Sequence, residues 1–115
     1  MSWNQPEVIA ARREILQAAR EILSGAVSPI EGARIIARLR FAARLETDAD
    51  ILAFVGIESE TDALPIGGGR AHWQAQALID LQEPIDDLQR SARDVGSSRC
   101  RNLLARADSL LQWPP

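Results

Sequence analysis

The sequence contains no tyrosine, only one histidine and only one cysteine among its 115 residues. It also lacks lysine, so all 13 basic residues are arginine. Because Cys100 stands alone, no intramolecular disulfide can form. No N-terminal stretch combines a basic start with an apolar run, and no window approaches 18 uncharged apolar residues. We therefore expect a cytoplasmic protein with neither a signal peptide nor a membrane partner.

The residues that are present fit one globular domain spanning 1–115. Hydrophobic residues make up 46% of the chain and charged residues 25%, which is the usual composition of such domains. A chain of this mass can bury about two thirds of its surface, enough for a core without disulfides or metals.

The charge is unevenly distributed. The formal net charge is −3, yet residues 46–62 contain six acidic and no basic residues, so the remainder sums to +3 (13 arginines minus 10 acids). Negative net charge argues against nucleic acid as the partner, because phosphates attract basic surfaces. The six acidic residues are Glu46, Asp48, Asp50, Glu58, Glu60 and Asp62.

Apolar residues at three- and four-residue spacing predict helices along most of the chain. The first helix begins near Asn4 and Pro6 and ends at Gly25. The second begins at Ser28, which forms a capping box with Glu31.

The second helix carries its apolar residues on one stripe that runs to Ala43. Gly32 lies on this stripe, where it allows a neighbouring backbone to approach closely.

Thr47 or Asp48 is expected to cap a short third helix that ends at Gly56. An irregular segment of about a dozen residues, Ile57–Gly69, then precedes a fourth helix that starts near Trp73–Ala75.

In the fourth helix, Pro84 predicts a kink or a break, and the apolar pattern ends near Asp94. Ser97 or Ser98 is then expected to cap a last helix. No alternation typical of strands is present. The sequence thus predicts an all-α, compact antiparallel bundle of four to five helices, with a long acidic loop between helices three and four.

Few residues are candidates for catalysis or for binding a metal or a phosphate, and each has a simpler structural interpretation. His72 has no ligand-spaced partners for a metal, and we interpret it as a histidine at a helix start. Gly67–Gly69 lacks the lysine and hydroxyl of a phosphate-binding loop. Cys100 has the helical spacing of a buried, inert thiol, although neighbouring arginines would lower the pKa of an exposed one. We predict no catalytic residues, no cofactor and no metal.

A second acidic group, Asp80, Glu83, Asp86 and Asp87, follows in the fourth helix, and Asp86 is placed to pair with Arg90. These residues form either a solvated helix face or, together with the 46–62 segment, one negative surface for a basic protein. Trp73 is either a core residue or the aromatic anchor of that interface, and Trp3 and Trp113 are further anchor candidates. The predicted partner-binding residues are Glu46, Asp48, Asp50, Glu58, Glu60, Asp62, Trp73, Asp80, Glu83 and Asp87.

Two stretches, Ser28–Arg34 and Phe54–Gly67, resemble a family of small bacterial helical proteins. Arg70, Trp73 and the run Cys100–Leu103 extend the resemblance over residues 8–106, although three glycines at 67–69 exceed the family pattern. Some small acidic proteins of this type serve as immunity proteins to polymorphic toxins, including those of contact-dependent growth inhibition systems. The resemblance implies a helical fold and a toxin-binding role, and it transfers no catalytic residues.

Three hypotheses remain at this stage. In the first, an immunity protein, monomeric or weakly dimeric, blocks the basic surface of a cognate toxin such as a nuclease. In the second, a helical adaptor or self-associating protein pairs through an apolar C-terminal stripe. In the third, an enzyme uses His72 and the acidic loop. The C-terminal stripe consists of Leu103, Leu104, Leu110, Leu111 and Trp113.

Overall fold

The computed structural model describes residues 5–64, 66 and 74–114 and confirms the all-helical prediction. No strand occurs among these residues. The helices are α1 (Gln5–Ser24), α2 (Pro29–Leu39), α3 (Ala49–Thr61), α4 (Ala75–Ala105) and α5 (Ala107–Leu110).

One hydrophobic core joins all five helices. Its largest side chain, Phe54 of α3, is 1% exposed. The same core contains buried residues of every other helix: Ile15 and Leu16 of α1, Ile30 and Ile36 of α2, Ile85 and Leu103 of α4, and Leu110 of α5. The apolar stripes predicted from the sequence therefore meet in a single interior.

Gly32 leaves room for a side chain of α1, whereas the sequence predicted the close approach of a neighbouring backbone. A Cβ atom added at Gly32 would lie 2.3 Å from Cγ1 of Ile22. The neighbour that occupies this space is a side chain of α1 rather than its backbone. Any larger residue at position 32 would have to displace the buried Ile22.

Helices α3 and α4 run antiparallel. Phe54 lies beside Gly96, where an added Cβ would be 3.3 Å from the ring atom Cε1, and Asp50 bonds to Arg99 and Arg106 farther along α4. The first residues of α3 therefore face the last residues of α4. At the other end, the Ile30 N–H of α2 donates to the side-chain oxygen of Gln89 at 3.0 Å.

Three predictions about helix ends were wrong: burial outweighs the breaking signals at Gly56 in α3 and at Gly96 in α4, whereas α2 is shorter than its apolar stripe predicted. Helix α3 continues through Gly56 to Thr61, so Glu58 and Glu60 are helical and the acidic loop is shorter than predicted. Helix α2 ends earlier, at Leu39.

Helix α4 passes through both Pro84 and Gly96 without a break. The hydroxyl of Ser97 donates to the Arg93 carbonyl inside the helix, so it does not cap a new one.

The first third of α4 extends from the body of the bundle, and Leu81 is the residue of this segment that packs against the hydrophobic core. The helix has 31 residues, which corresponds to about 46 Å, and the molecule measures 55 × 25 × 22 Å along its principal axes. No residue between positions 75 and 84 is buried, and Ile85 is the first buried residue of the helix. We call residues 75–84 the arm.

In the part of the chain that the structure describes, no helix has both the length and the apolar character required to cross a membrane.

Candidate functional site

The start of α3 is held by an ion-paired cluster. Asp48 is the N-cap, and its Oδ1 accepts from the backbone N–H groups of Asp50 and Ile51 at 3.0 and 3.3 Å. Its Oδ2 lies 2.9 Å from Nη1 of Arg106. One carboxylate thus caps α3 and also binds the end of α4.

Asp50 completes this cluster. Its Oδ2 lies 3.1 Å from Nη2 of Arg106, and its Oδ1 accepts from Nη1 of Arg99 at 3.1 Å and from Nδ2 of Asn102 at 3.2 Å. The side chains of Asp48 and Asp50 are only 15% and 12% exposed. The prediction that these two acids belong to an outward-facing partner surface was therefore wrong, because the protein's own guanidinium groups neutralise them.

The pKa of Asp48 reflects these contacts. Burial alone would raise the pKa, but the hydrogen bonds and the positive charge of Arg106, with the two N–H donors, lower it below the ordinary aspartate value. For Arg106 the hydrogen bond to Asp48 raises the pKa, with burial opposing. Both groups therefore remain charged at neutral pH.

Arg12 lies at the same end of the bundle, within electrostatic range of Asp48 and Arg106. It is 7% exposed, and its Nε and Nη1 donate to the carbonyls of Ala43 and Leu110 at 2.8 and 2.9 Å. Its guanidinium carbon also lies 5.9 Å from the ring centre of Trp113. One side chain thus satisfies the carbonyl of Ala43, beyond the end of α2, and that of Leu110, the last residue of α5, and it contacts Trp113.

Sequence reasoning missed the roles of these arginines, although two signals were present. Arg12 lies four residues after Val8 and three before Ile15, so it falls on the apolar stripe of α1, where a charge needs a buried partner. Arg99, Asn102 and Arg106 share one face of α4 through three- and four-residue spacing. Both patterns indicate interior polar contacts.

The other acids of the 46–62 segment face solvent. Glu60 and Asp62 are exposed and Glu58 is half-buried at the end of α3, whereas Glu46 is exposed before its start. The 13 residues of α3 separate Glu46 from the other three by about 20 Å. Within residues 5–64, 66 and 74–114, no ion pair engages these four carboxylates.

An arginine of α2 binds the end of α3. Arg34 of α2 donates from Nη2 to the carbonyl oxygen of Thr61, the last residue of α3. That contact satisfies a backbone group at the negative end of the helix dipole. Arg34 therefore binds the helix end and leaves the carboxylates of Glu60 and Asp62 directed toward solvent.

The second acidic group lies on the arm and just after it. Asp80, Glu83 and Asp87 are all exposed. The expected pair between Asp86 and Arg90 was wrong, since Arg90 instead contacts Asp87 one turn away.

Asp86 accepts from the side-chain amide of Gln82, and Asp80 from that of Gln76. These amide bonds leave the negative charges in place. Antiparallel packing of α3 and α4 puts this group and the end of α3 at the same end of the bundle.

Several predicted site residues lie outside the described residues. They are Trp73, His72, Trp3, Asn4, Arg70 and Gly67–Gly69. Of the candidate aromatic anchors only Trp113 is described, and it is half-buried against Arg12.

Cys100 is buried, as predicted. Burial raises the pKa of its thiol to about 11, with Arg101 opposing, so the thiol is protonated at neutral pH. Among the described residues no cluster of three or more histidines, cysteines or carboxylates is arranged to hold a metal ion.

Comparisons of the chain with protein-family models, curated proteins and solved structures found no match. The family resemblance noted from the sequence stays a prediction.

The Asp48 cluster predicts a specific pH dependence. Because the folded-state pKa of Asp48 is lowered, its contribution to stability is complete above the ordinary aspartate pKa and is lost as the pH falls through the folded value. Asp48→Asn keeps a capping oxygen but removes the charge. We expect it to lower the free energy of unfolding by about 1–2 kcal/mol at pH 7.

Urea unfolding at a series of pH values measures this difference. The difference in free energy of unfolding between wild type and Asp48→Asn should be constant from pH 7 to 5. It should narrow below about pH 4, where the wild-type carboxylate protonates. A gap that stays constant down to pH 2.5 would show that the charge of Asp48 is unimportant.

Proposed function

We propose that the protein is a cytoplasmic, non-enzymatic immunity protein that neutralises a cognate toxin by covering its basic surface. The single observation that carries the proposal is that six carboxylates with no buried arginine partner among the described residues lie toward the same end of the bundle. These carboxylates belong to Glu58, Glu60 and Asp62 of the α3 end and to Asp80, Glu83 and Asp87 of α4. We call this set the acidic end.

The acidic end differs from the other carboxylate cluster in its partners. Asp48 and Asp50 already bind arginines of α4, whereas the acidic end has one surface ion pair among the described residues, between Asp87 and Arg90. Exposed pairs of that kind contribute little to stability. The negative potential at this end is therefore available to an external cation.

A nuclease toxin is a suitable partner because it holds phosphates with basic residues. Carboxylates at the acidic end would compete for those residues and speed the encounter of the two proteins. The mechanism requires steric and electrostatic blocking only, with no bond made or broken. The immunity role also agrees with the family resemblance.

The alternative, a self-associating adaptor, has less support. Its proposed contact stripe is used within the monomer, because Leu103 and Leu110 are buried and Leu104 and Leu111 pack against the core. Leu103 and Leu110 are therefore unavailable to a second subunit unless the fold opens, and Leu104 and Leu111 expose only part of their surface.

The proposal is tested by reversing charge at the end of α3. Replacing Glu58, Glu60 and Asp62 with arginine should slow association with the cognate toxin domain by roughly 10- to 100-fold. Stability should change little, because cations at a helix C-terminus interact favourably with its dipole. Stopped-flow binding at two salt concentrations and survival of toxin-expressing cells give the two readouts.

A matched control reverses three exposed acids elsewhere, Glu7, Glu14 and Asp108. This control changes the net charge equally and should leave association within about threefold of wild type, since a local potential steers encounter. Equal protection by wild type and the α3 variant would exclude this end as the interface. A gene neighbourhood without a toxin would contradict the immunity role itself.

A further inference from the structure

The apolar residues Ala75, Leu78 and Ile79 of the α4 arm are not among the side chains that pack against the hydrophobic core. Ala75, Leu78, Ile79 and Gln82 line an open depression of about 350 Å³. Their spacing of three, four and seven residues places them on one helix face. Ile79 is 67% exposed, the highest exposure among the large hydrophobic residues of the described chain.

A different face of α4 provides its attachment to the bundle. Ile85 is buried, and Leu81 and Leu88 pack against the core. Single exposed apolar residues are ordinary on protein surfaces. The arm instead presents several at helical spacing on a segment that projects from the bundle, which is the pattern of a helix-binding surface.

The charges around the apolar residues of the arm identify the kind of partner. Glu83 lies one turn after Ile79, and Asp86 two turns after it. Residues 75–87 contain four carboxylates and no basic residue. A second copy seated on the arm would bring eight carboxylates together without a cation, which disfavours self-association.

We propose that the arm docks a basic amphipathic helix of the partner protein, with apolar residues against Leu78 and Ile79 and flanking lysines or arginines against Glu83 and Asp86. The inference rests on the proposed function and deepens it, since it specifies the element of the partner that is recognised. Charge guides the helix to the arm, and apolar burial at Ile79 then holds it in place.

The test uses an 18-residue fluorescent peptide of leucine and lysine, with leucines spaced to form one helical stripe. A scrambled peptide of identical composition removes the stripe but keeps the charge. Fluorescence anisotropy should show wild-type protein binding the amphipathic peptide at least fivefold more tightly than the scrambled one, because only the former buries leucines on the arm. Raising the salt concentration should weaken the binding of both peptides.

Two variants separate the apolar contribution from the charge. Ile79→Asn should weaken amphipathic-peptide binding by roughly fivefold or more, whereas Val95→Asn, at a 49% exposed site later on α4, should change it less than twofold. Glu83→Gln with Asp86→Asn should weaken both peptides and flatten the salt dependence.

Four outcomes would overturn the inference. Equal binding of the two peptides would show recognition by charge alone and would leave the proposed function standing, and no binding of either would reject the arm as a docking site. A concentration-dependent dimer in sedimentation that Ile79→Asn abolishes would identify a second copy as the occupant. A loss of more than about 10 °C in melting temperature for Ile79→Asn would show that the protein's own chain covers this residue. Failure of the immunity role would instead appear as unchanged toxin protection in the α3 charge variant.

Discussion

Replacing Arg12 with methionine should lower the free energy of unfolding by about 3 kcal/mol and the melting temperature by roughly 10–20 °C. Methionine keeps much of the apolar stem but leaves the Ala43 and Leu110 carbonyls without their donors. Hydrogen bonds from a charged donor contribute about 1.5–3 kcal/mol each, and unpaired buried carbonyls are costly. Single domains are stable by only about 5–15 kcal/mol, so this is a large effect.

The neighbouring Arg13 provides the control. It is exposed, so Arg13→Met should change the free energy of unfolding by less than about 0.5 kcal/mol. Arg12→Lys keeps the charge but lacks the planar guanidinium, whose N–H groups reach two carbonyls. Its free energy of unfolding should lie between those of wild type and Arg12→Met. Urea unfolding measures all three, and equal stability of the Arg12 and Arg13 variants would contradict the assigned role.

Replacing Arg106 with methionine should lower the free energy of unfolding by about 2 kcal/mol. The change removes the guanidinium that contacts both Asp48 and Asp50. The two carboxylates, which are largely shielded from water, then lose a positive charge that offsets the cost of their burial. Breaking a fully buried pair costs about 3–5 kcal/mol. Because the Arg106 side chain is 40% exposed, solvent screening reduces that figure.

A double-mutant cycle isolates the pairing energy. Arg106→Met combined with Asp50→Asn should be less destabilising than the sum of the single changes, with a coupling of about 1 kcal/mol. Arg101→Met, at an exposed position of the same helix, should be nearly neutral. Additive single effects would show that Arg106 and Asp50 are not energetically coupled.

Local signals in the sequence predicted the helices where side chain and backbone interact within a few residues. Ser28 accepts from the Glu31 N–H as its capping box requires, and Asp48 caps α3. These contacts depend on near neighbours only. The apolar stripes also predicted much of the core, since 3.6-residue periodicity reports which face of a helix is buried.

Breaking signals misled the prediction where distant residues supplied the stabilisation. Pro84 and Gly96 each disfavour a helix by about 1–3 kcal/mol. Yet α4 continues through both because it anchors Ile85, Cys100 and Leu103 in the core. Gly96 has no side chain and so leaves room for the ring of Phe54 of α3. Considered with its sequence neighbours alone, the same glycine indicates a helix end.

The candidate site was predictable only in part. Exposed acids at Glu60, Asp62 and Glu83 were identified from composition, because a charge without a nearby opposite charge usually faces solvent. The roles of Asp48 and Asp50 were not, since their arginine partners lie about fifty residues away in the sequence.

The sequence alone determined an all-helical chain, the approximate course of its helices, and an uneven supply of charge. Those properties follow from periodicity, capping and composition, which act over short distances along the chain. Tertiary structure decided which carboxylates remain available for a partner, because only folding brings Arg99 and Arg106 against the start of α3. It also decided that the first third of α4 extends from the body of the bundle, since that depends on how far each helix reaches in the assembled bundle.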